Sequence, residues 1–256
     1  MAGGKCSKRN GIGAWRRTRR VLWGSLLAAA MAPNVHAQPL PPVDSMAWRV
    51  QPCSACHGDQ GRATPEGYFP RLAGKPSDYL WRQMLNFRDG RRNHTQMRYL
   101  MAYLSDDYLR EMADFFAQRK VPYPPPLPPQ AAAQVLARGE ALVHQGDAAR
   151  GLPACVACHG TAMTGVLPAV PGLLGLSRDY LNSQLGAWRT GRRQAQAPDC
   201  MAEIARRLSA SDVAALSAWL AAQPVPQGGQ PAAQLPGPAP LACAGLGVAA
   251  AGEAQR

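Results

Sequence analysis

Cys53-Ser54-Ala55-Cys56-His57-Gly58 recurs in the second half of the chain as Cys155-Val156-Ala157-Cys158-His159-Gly160. Working outward from these two strings, Pro70 to Arg92 (PRLAGKPSDYLWRQMLNFRDGRR) aligns without gaps on Pro171 to Arg193 (PGLLGLSRDYLNSQLGAWRTGRR). Of those 23 positions 11 are identical, so chance similarity is excluded. Leu104-Ser105 and the segment it opens match Leu208-Ser209 in the same order. The chain contains one unit written twice.

Each unit reads as helical. Tyr79, Leu80, Gln83, Met84 and Phe87 share a face at helical spacing, opened by Pro76-Ser77-Asp78 and closed by Gly90. A closing helix starts at Ser105, with Asp106 and Asp107 in its first turn and a stripe of Leu109, Met112, Ala113 and Phe116. Its counterpart opens at Ser209 and carries Val213, Leu216, Ser217 and Leu220. Val135, Leu136, Leu142 and Val143 indicate a helix before the second Cys pair. No run alternates as a strand does, so the expectation is all-α.

The 256 residues hold 28 Lys+Arg against 16 Asp+Glu, a formal charge of +12 that suggests nucleic acid until it is located. Residues 1–37 carry seven of the cations and no acid; beyond Ala37 the excess is only +5. A cationic stretch, the apolar run Val21 to Ala32 and Val35-His36-Ala37 form the three regions of an export signal, with cleavage expected after Ala37. About 12 apolar residues are too few to span a bilayer, and no later segment is long and apolar enough. The expected location is an oxidising compartment outside the cytoplasm, with no nucleic-acid partner. Val121 to Pro129 (VPYPPPLPP) favours an extended spacer. The low-charge, Pro- and Ala-rich stretch from Pro224 to Arg256 is expected to be disordered. The resulting division is 1–37 signal, 38–121 first domain, 122–130 linker, 131–223 second domain and 224–256 tail.

Two C-x-x-C-H motifs in an exported chain carry a specific chemistry. On a helical turn the thiols lie about one turn apart, so both can add to the vinyl groups of one haem while the adjoining His turns to the iron. Cys53, Cys56, Cys155 and Cys158 are therefore expected to bind two haem c groups covalently, with His57 and His159 as iron ligands. The rivals are zinc, which needs four convergent ligands per site, and a redox dithiol, which does not require the repeated His. For the sixth ligand, Met97 and Met201 recur in register, each seven residues before the repeated Leu-Ser. A thioether favours reduced iron. Met101 competes with Met97, and Cys200 competes with Met201. Cys200 and Cys243 are either a disulfide or free thiols, a choice that spacing leaves open. Arg88, Arg91 and Arg92 repeat as Arg189, Arg192 and Arg193, either solvated at helix ends or else paired with haem propionates or guiding an acidic partner. Tyr79 and Tyr180 repeat as packing residues, and His94 and His144 read as surface or loop histidines.

C-x-x-C-H-G, P-x-L-x-G, Y-L-x-x-Q, F/W-R-x-G-R-R, the repeated Met and the Leu-Ser pair together resemble the dihaem cytochromes c of the cytochrome c4 type. The resemblance covers about residues 50–120 and 131–223. It implies two tandem class I cytochrome c domains, packed with pseudo-twofold symmetry and with propionates near their interface. His57/Met97 and His159/Met201 would be the axial pairs. The implied role is periplasmic electron transfer between a respiratory donor and a terminal oxidase. A small dihaem dehydrogenase, for example a thiosulfate-oxidising one, and a haem subunit of a periplasmic dehydrogenase are the alternatives. The chain departs from the pattern in a short, Pro-rich segment before Cys53, a short loop from Thr161 to Val170, and the tail carrying Cys243.

Overall fold

The computed structural model describes residues 41–126 and 128–246. The export signal expected at 1–37 lies outside the described residues. The described chain is helical, as the repeat predicts. In the first half α1 (Met46–Arg49) and α2 (Gln51–His57) precede α3 (Ser77–Arg88), α4 (Thr95–Met101) and α5 (Asp106–Ala117). In the second half α6 (Ala133–His144) and α7 (Val156–His159) precede α8 (Arg178–Arg189), α9 (Cys200–Arg207) and α10 (Ala210–Ala222). Between α7 and α8 lie two short antiparallel strands, β1 (Gly165–Val166) and β2 (Val170–Pro171). At two residues each, they are too short to leave an alternating pattern, which is why the sequence shows none.

The helices start where local chemistry places them. Ser105, Ser177 and Ser209 accept from the backbone N–H of Tyr108, Tyr180 and Asp212, satisfying donors that a helix start leaves open. Each half has its own core. The first is Val50, Leu80, Phe87, Met101, Leu109, Met112, Ala113 and Phe116. Leu142, Val143, Leu152, Met163, Leu174, Leu181, Leu208, Val213, Leu216 and Leu220 form the second. The closing-helix stripes read from sequence are buried throughout. Val135 is the exception among the α6 residues and faces solvent.

The halves differ at their opening helix. The four residues of α1 pack on α5, whereas the twelve of α6 cross α10 along its length. The α6–α10 pair is also locked by charge. Buried Asp212 accepts from Arg138 at 3.0 Å and Arg150 at 2.8 Å, and closes a capping box with Ser209. Burial opposes the charge on Asp212, but hydrogen bonds from Arg150, Ser209 and Arg138 outweigh it and hold the carboxyl well below its usual range. Asp212→Asn is expected to cost about 2–3 kcal/mol at pH 7, since bonds between charged groups are replaced and two cations lose a partner. The folded carboxyl is the stronger acid, so this contribution is full above the unfolded value of 3.8 and is lost as pH falls below it. Urea titrations at pH 7 and pH 3 should show the gap between wild type and variant closing at the lower pH.

The tail differs from its sequence reading. Within 224–246, Val225 packs on the second core, Ala232 pairs with Val166, and Cys243 is disulfide-bonded to Cys200. Composition alone argues for disorder. The crosslink lowers the entropy of ordering, and the open edge of β1 supplies backbone partners. The linker is docked as well. Arg71 donates to Pro122 O at 3.2 Å and to Val121 O, and its guanidinium lies 3.8 Å from the Tyr123 ring centre. Tyr123 lies on Gly175, where a Cβ would come within 2.4 Å of the ring.

Candidate functional site

Each motif histidine ends a helix; Cys53 and Cys56 lie within α2, whereas Cys155 is the N-cap of α7 and Cys158 lies within it. Gly58 and Gly160 then turn the chain sharply, with φ of +73° and +82°. A Cβ at Gly58 would lie 2.3 Å from Ala63 O, so only glycine fits there. The turn brings Pro70 O to 2.9 Å from His57 Nδ1 and, in the second half, Pro171 O to 2.8 Å from His159 Nδ1. A carbonyl can only accept, so Nδ1 carries the proton and Nε2 keeps its lone pair. Carbonyl-bonded imidazoles of this kind are oriented for a metal through the other nitrogen. Burial lowers the pKa of both rings despite these bonds, with Arg92 and His94 adding to the effect at His57 and Lys75 at His159.

The four motif cysteines are not crosslinked. Burial raises the thiol pKa of Cys53 and Cys158 and pushes that of Cys155 up to about 12. A dithiol-exchange nucleophile needs the opposite shift. No group of three or more His, Cys, Asp or Glu able to hold a metal ion forms among the described residues. Met97 and Met201 are half-buried in the first turns of α4 and α9. Met101, the competitor of Met97, is buried in the first core. His94 caps α4 by accepting from Met97 N–H at 3.4 Å, a role its lack of a repeat partner did not suggest. Cys200 is held in the disulfide and offers no free thiolate.

The two sites meet across a polar seam that the sequence only half disclosed. Arg92 and Arg193, 8% and 5% exposed, are joined by an antiparallel bridge. The guanidinium of Arg92 donates to Gln83 at 2.9 Å, Gln184 at 2.6 Å and Tyr180 at 3.0 Å. That of Arg193 donates to Gln184 and Gln83, both at 2.8 Å. Each also lies over its own half's aromatic ring, Phe87 at 4.5 Å and Trp188 at 3.6 Å. Burial brings Arg193 down to about 10, with Arg92 beside it adding to the effect. Burial opposes ionisation of Tyr79, but Arg193 and Arg92 hold the phenol below its usual value. Their repeat neighbours Arg88 and Arg91 pair with acids at the surface instead.

Neither buried arginine has a carboxylate partner among the described residues. Trp188 Nε1 is buried without a hydrogen-bond partner. Lys75 is buried too, reaching from the first half to Gly172 O at 2.6 Å, and burial lowers its pKa to about 7. An anion beside these buried cations would offset the cost of burying their charge. These groups, with the thiol pairs and Nε2-free histidines, fit a haem whose propionates supply the negative charge. Sequence reasoning missed Lys75, Gln83 and Gln184 as members of the seam. The identity of Gln83 and Gln184 at matching repeat positions was the available signal.

No protein-family model matches the chain. It is 38% identical over 68% of its length to a thiosulfate dehydrogenase electron acceptor of Thiomonas intermedia, covering 79% of that protein. With cytochrome c4 of Pseudomonas aeruginosa it shares 37% identity over 66% of this chain and 82% of the relative. Among solved structures, reduced cytochrome c4 from Pseudomonas stutzeri superposes with a TM-score of 0.59 at 30% identity. That match spans 67% of this chain and 93% of the other. A thiosulfate dehydrogenase from Marichromatium purpuratum gives a TM-score of 0.61 at 33% identity. It spans 68% of this chain but only 37% of that longer one.

Proposed function

Because the chain belongs to the cytochrome c4 family of dihaem cytochromes, we propose that it shuttles electrons in the periplasm from a respiratory donor to a terminal oxidase. Like the family, it carries two covalent haem c groups and is an electron-transfer protein rather than an enzyme. Each haem, when bound, supplies a one-electron iron couple. Cys53 and Cys56 anchor one in the domain 38–121, and Cys155 and Cys158 the other in 131–223, with 122–130 as linker. The axial pairs are His57/Met97 and His159/Met201. The observation that carries this reading is the pairing of each motif histidine with a proline carbonyl, repeated in both halves. The carbonyl holds the imidazole in one tautomer and one orientation. Met97 and Met201 would supply the remaining ligand to each iron, which suits electron exchange without substrate binding. Residues 1–37 direct export and are removed.

The test has two arms. Intact mass of the exported protein should equal residues 38–256 plus two haems. The reduced protein, mixed with membranes containing a terminal oxidase, should be oxidised rapidly and more slowly as salt is raised. Thiosulfate turnover by the protein alone would overturn the carrier reading.

A second donor assignment is supported by two relatives, each a thiosulfate dehydrogenase electron acceptor. On that reading the electrons come from a separate thiosulfate dehydrogenase. Reduction of this chain by thiosulfate only when such an enzyme is added distinguishes it from a quinol-linked donor.

A further inference from the structure

One continuous segment, 224–246, is bonded both to β1, which follows the helix of His159, and to Cys200, which precedes Met201. It leaves α10 with Val225 packed on the second core. It then runs along β1, where Leu167 N donates to Ala232 O at 2.8 Å and Ala232 N to Gly165 O at 2.9 Å. Val166, the residue so clasped, is 1% exposed, and its Cγ2 would lie 3.3 Å from a Cβ on Gly160, next to His159. The segment ends on the methionine side. Ala244 N donates to Pro198 O at 3.0 Å, and buried Cys243 is joined to Cys200, the residue before Met201. Arg82 of α3 reaches across from the first half to donate to Ala244 O at 3.2 Å. Among the described residues the first half has no equivalent: Gln96 stands before Met97, and α4 is held at its start by the His94 cap.

We propose that residues 224–246 are a strap that holds Met201 in place at the second site, with the Cys200–Cys243 disulfide as its fastening. This rests on Met201 being the axial ligand. An external ligand reaches a six-coordinate iron when the methionine-bearing segment swings away, a local opening with its own free energy. A covalent tie one residue from Met201 opposes that swing, whereas Met97 is restrained by non-covalent bonds alone. Cys200, Cys243 and Ala232 are thus positioning residues for one of two otherwise similar sites, and the strap makes the sites unequal.

Imidazole binding to the oxidised holoprotein, followed by stopped flow, tests this. Wild type should bind in two phases, and Met97→Ala should leave only the slow one, assigning it to the second site. Cys200→Ser/Cys243→Ser should speed the slow phase on the order of tenfold and leave the fast phase unchanged. Should that variant fail to mature, reduction of the folded wild-type protein by a phosphine serves instead. The two thiols are then capped with iodoacetamide and the haems reoxidised with ferricyanide, and the same acceleration is expected. An unchanged slow phase in the opened protein, or equal acceleration of both phases, overturns the strap. Loss of the axial reading shows differently: Met201→Ala would then keep the full far-red methionine–iron band.

Discussion

Met201→Ala is expected to remove about half of the far-red methionine–iron absorption of the oxidised protein and to lower one midpoint potential by roughly a few tenths of a volt. That is a fraction of the roughly 0.8 V that axial ligation spans in haem proteins. Met97→Ala should do the same to the other site, and the double variant should abolish the band. The soft thioether favours reduced iron, so its loss stabilises the oxidised state. Met101→Ala provides the contrast. Its side chain belongs to the first core, so it should cost about 2–5 kcal/mol of stability as a core truncation does, with the band intact. A band that survives in Met97→Ala and vanishes in Met101→Ala would reassign the first ligand.

The largest effect on stability is expected at Gly139. Helix α6 meets α10 so closely there that a Cβ would lie 2.4 Å from Ala215 O and 2.7 Å from Trp219 Cβ. The first of these is backbone, so no rotamer change relieves the clash, and Gly139→Val must push the helices apart. A loss of about 3 kcal/mol or more is expected. It should be confined to the second half, because the first half's opening helix packs elsewhere. Gly186, inside α8 with nothing within 4 Å of its would-be Cβ, is the control. Gly186→Ala should gain about 0.5–1 kcal/mol. Separate melting of the two halves by calorimetry would read both changes.

The features that were legible in the sequence are local ones. The closing helices declared themselves because Ser105 and Ser209 are caps and the apolar spacing behind them is undiluted. The duplication fixed the equivalence of the two halves before any packing was known. What escaped depends on contacts between halves. An arginine two residues past a helix-closing glycine looks solvated until a second copy of the same arginine, Arg193 against Arg92, covers it. Lys75 has no repeat partner to mark it, and its burial comes from Gly172 on the other side of the seam. Residues 224–246 depart from the composition-based expectation because composition reports on hydrophobic burial and is blind to a crosslink. The cysteine pair was visible, but its geometry was not.

The seam between Arg92 and Arg193 has a further consequence. Gln83 and Gln184 each accept from both guanidinia, and each half offers the other the same residues it receives. That is the signature of an isologous contact, the kind that joins two copies of one chain about a dyad. A separate half bearing this patch is complementary to itself, so the tandem chain has the construction of a homodimer whose subunits were fused. Two identical redox stations would be degenerate and give an electron no preferred direction. Fusion lifts that constraint, because a single chain can carry a four-residue opening helix in one half and a twelve-residue one in the other. An imperfect dyad of this kind leaves the two halves free to differ.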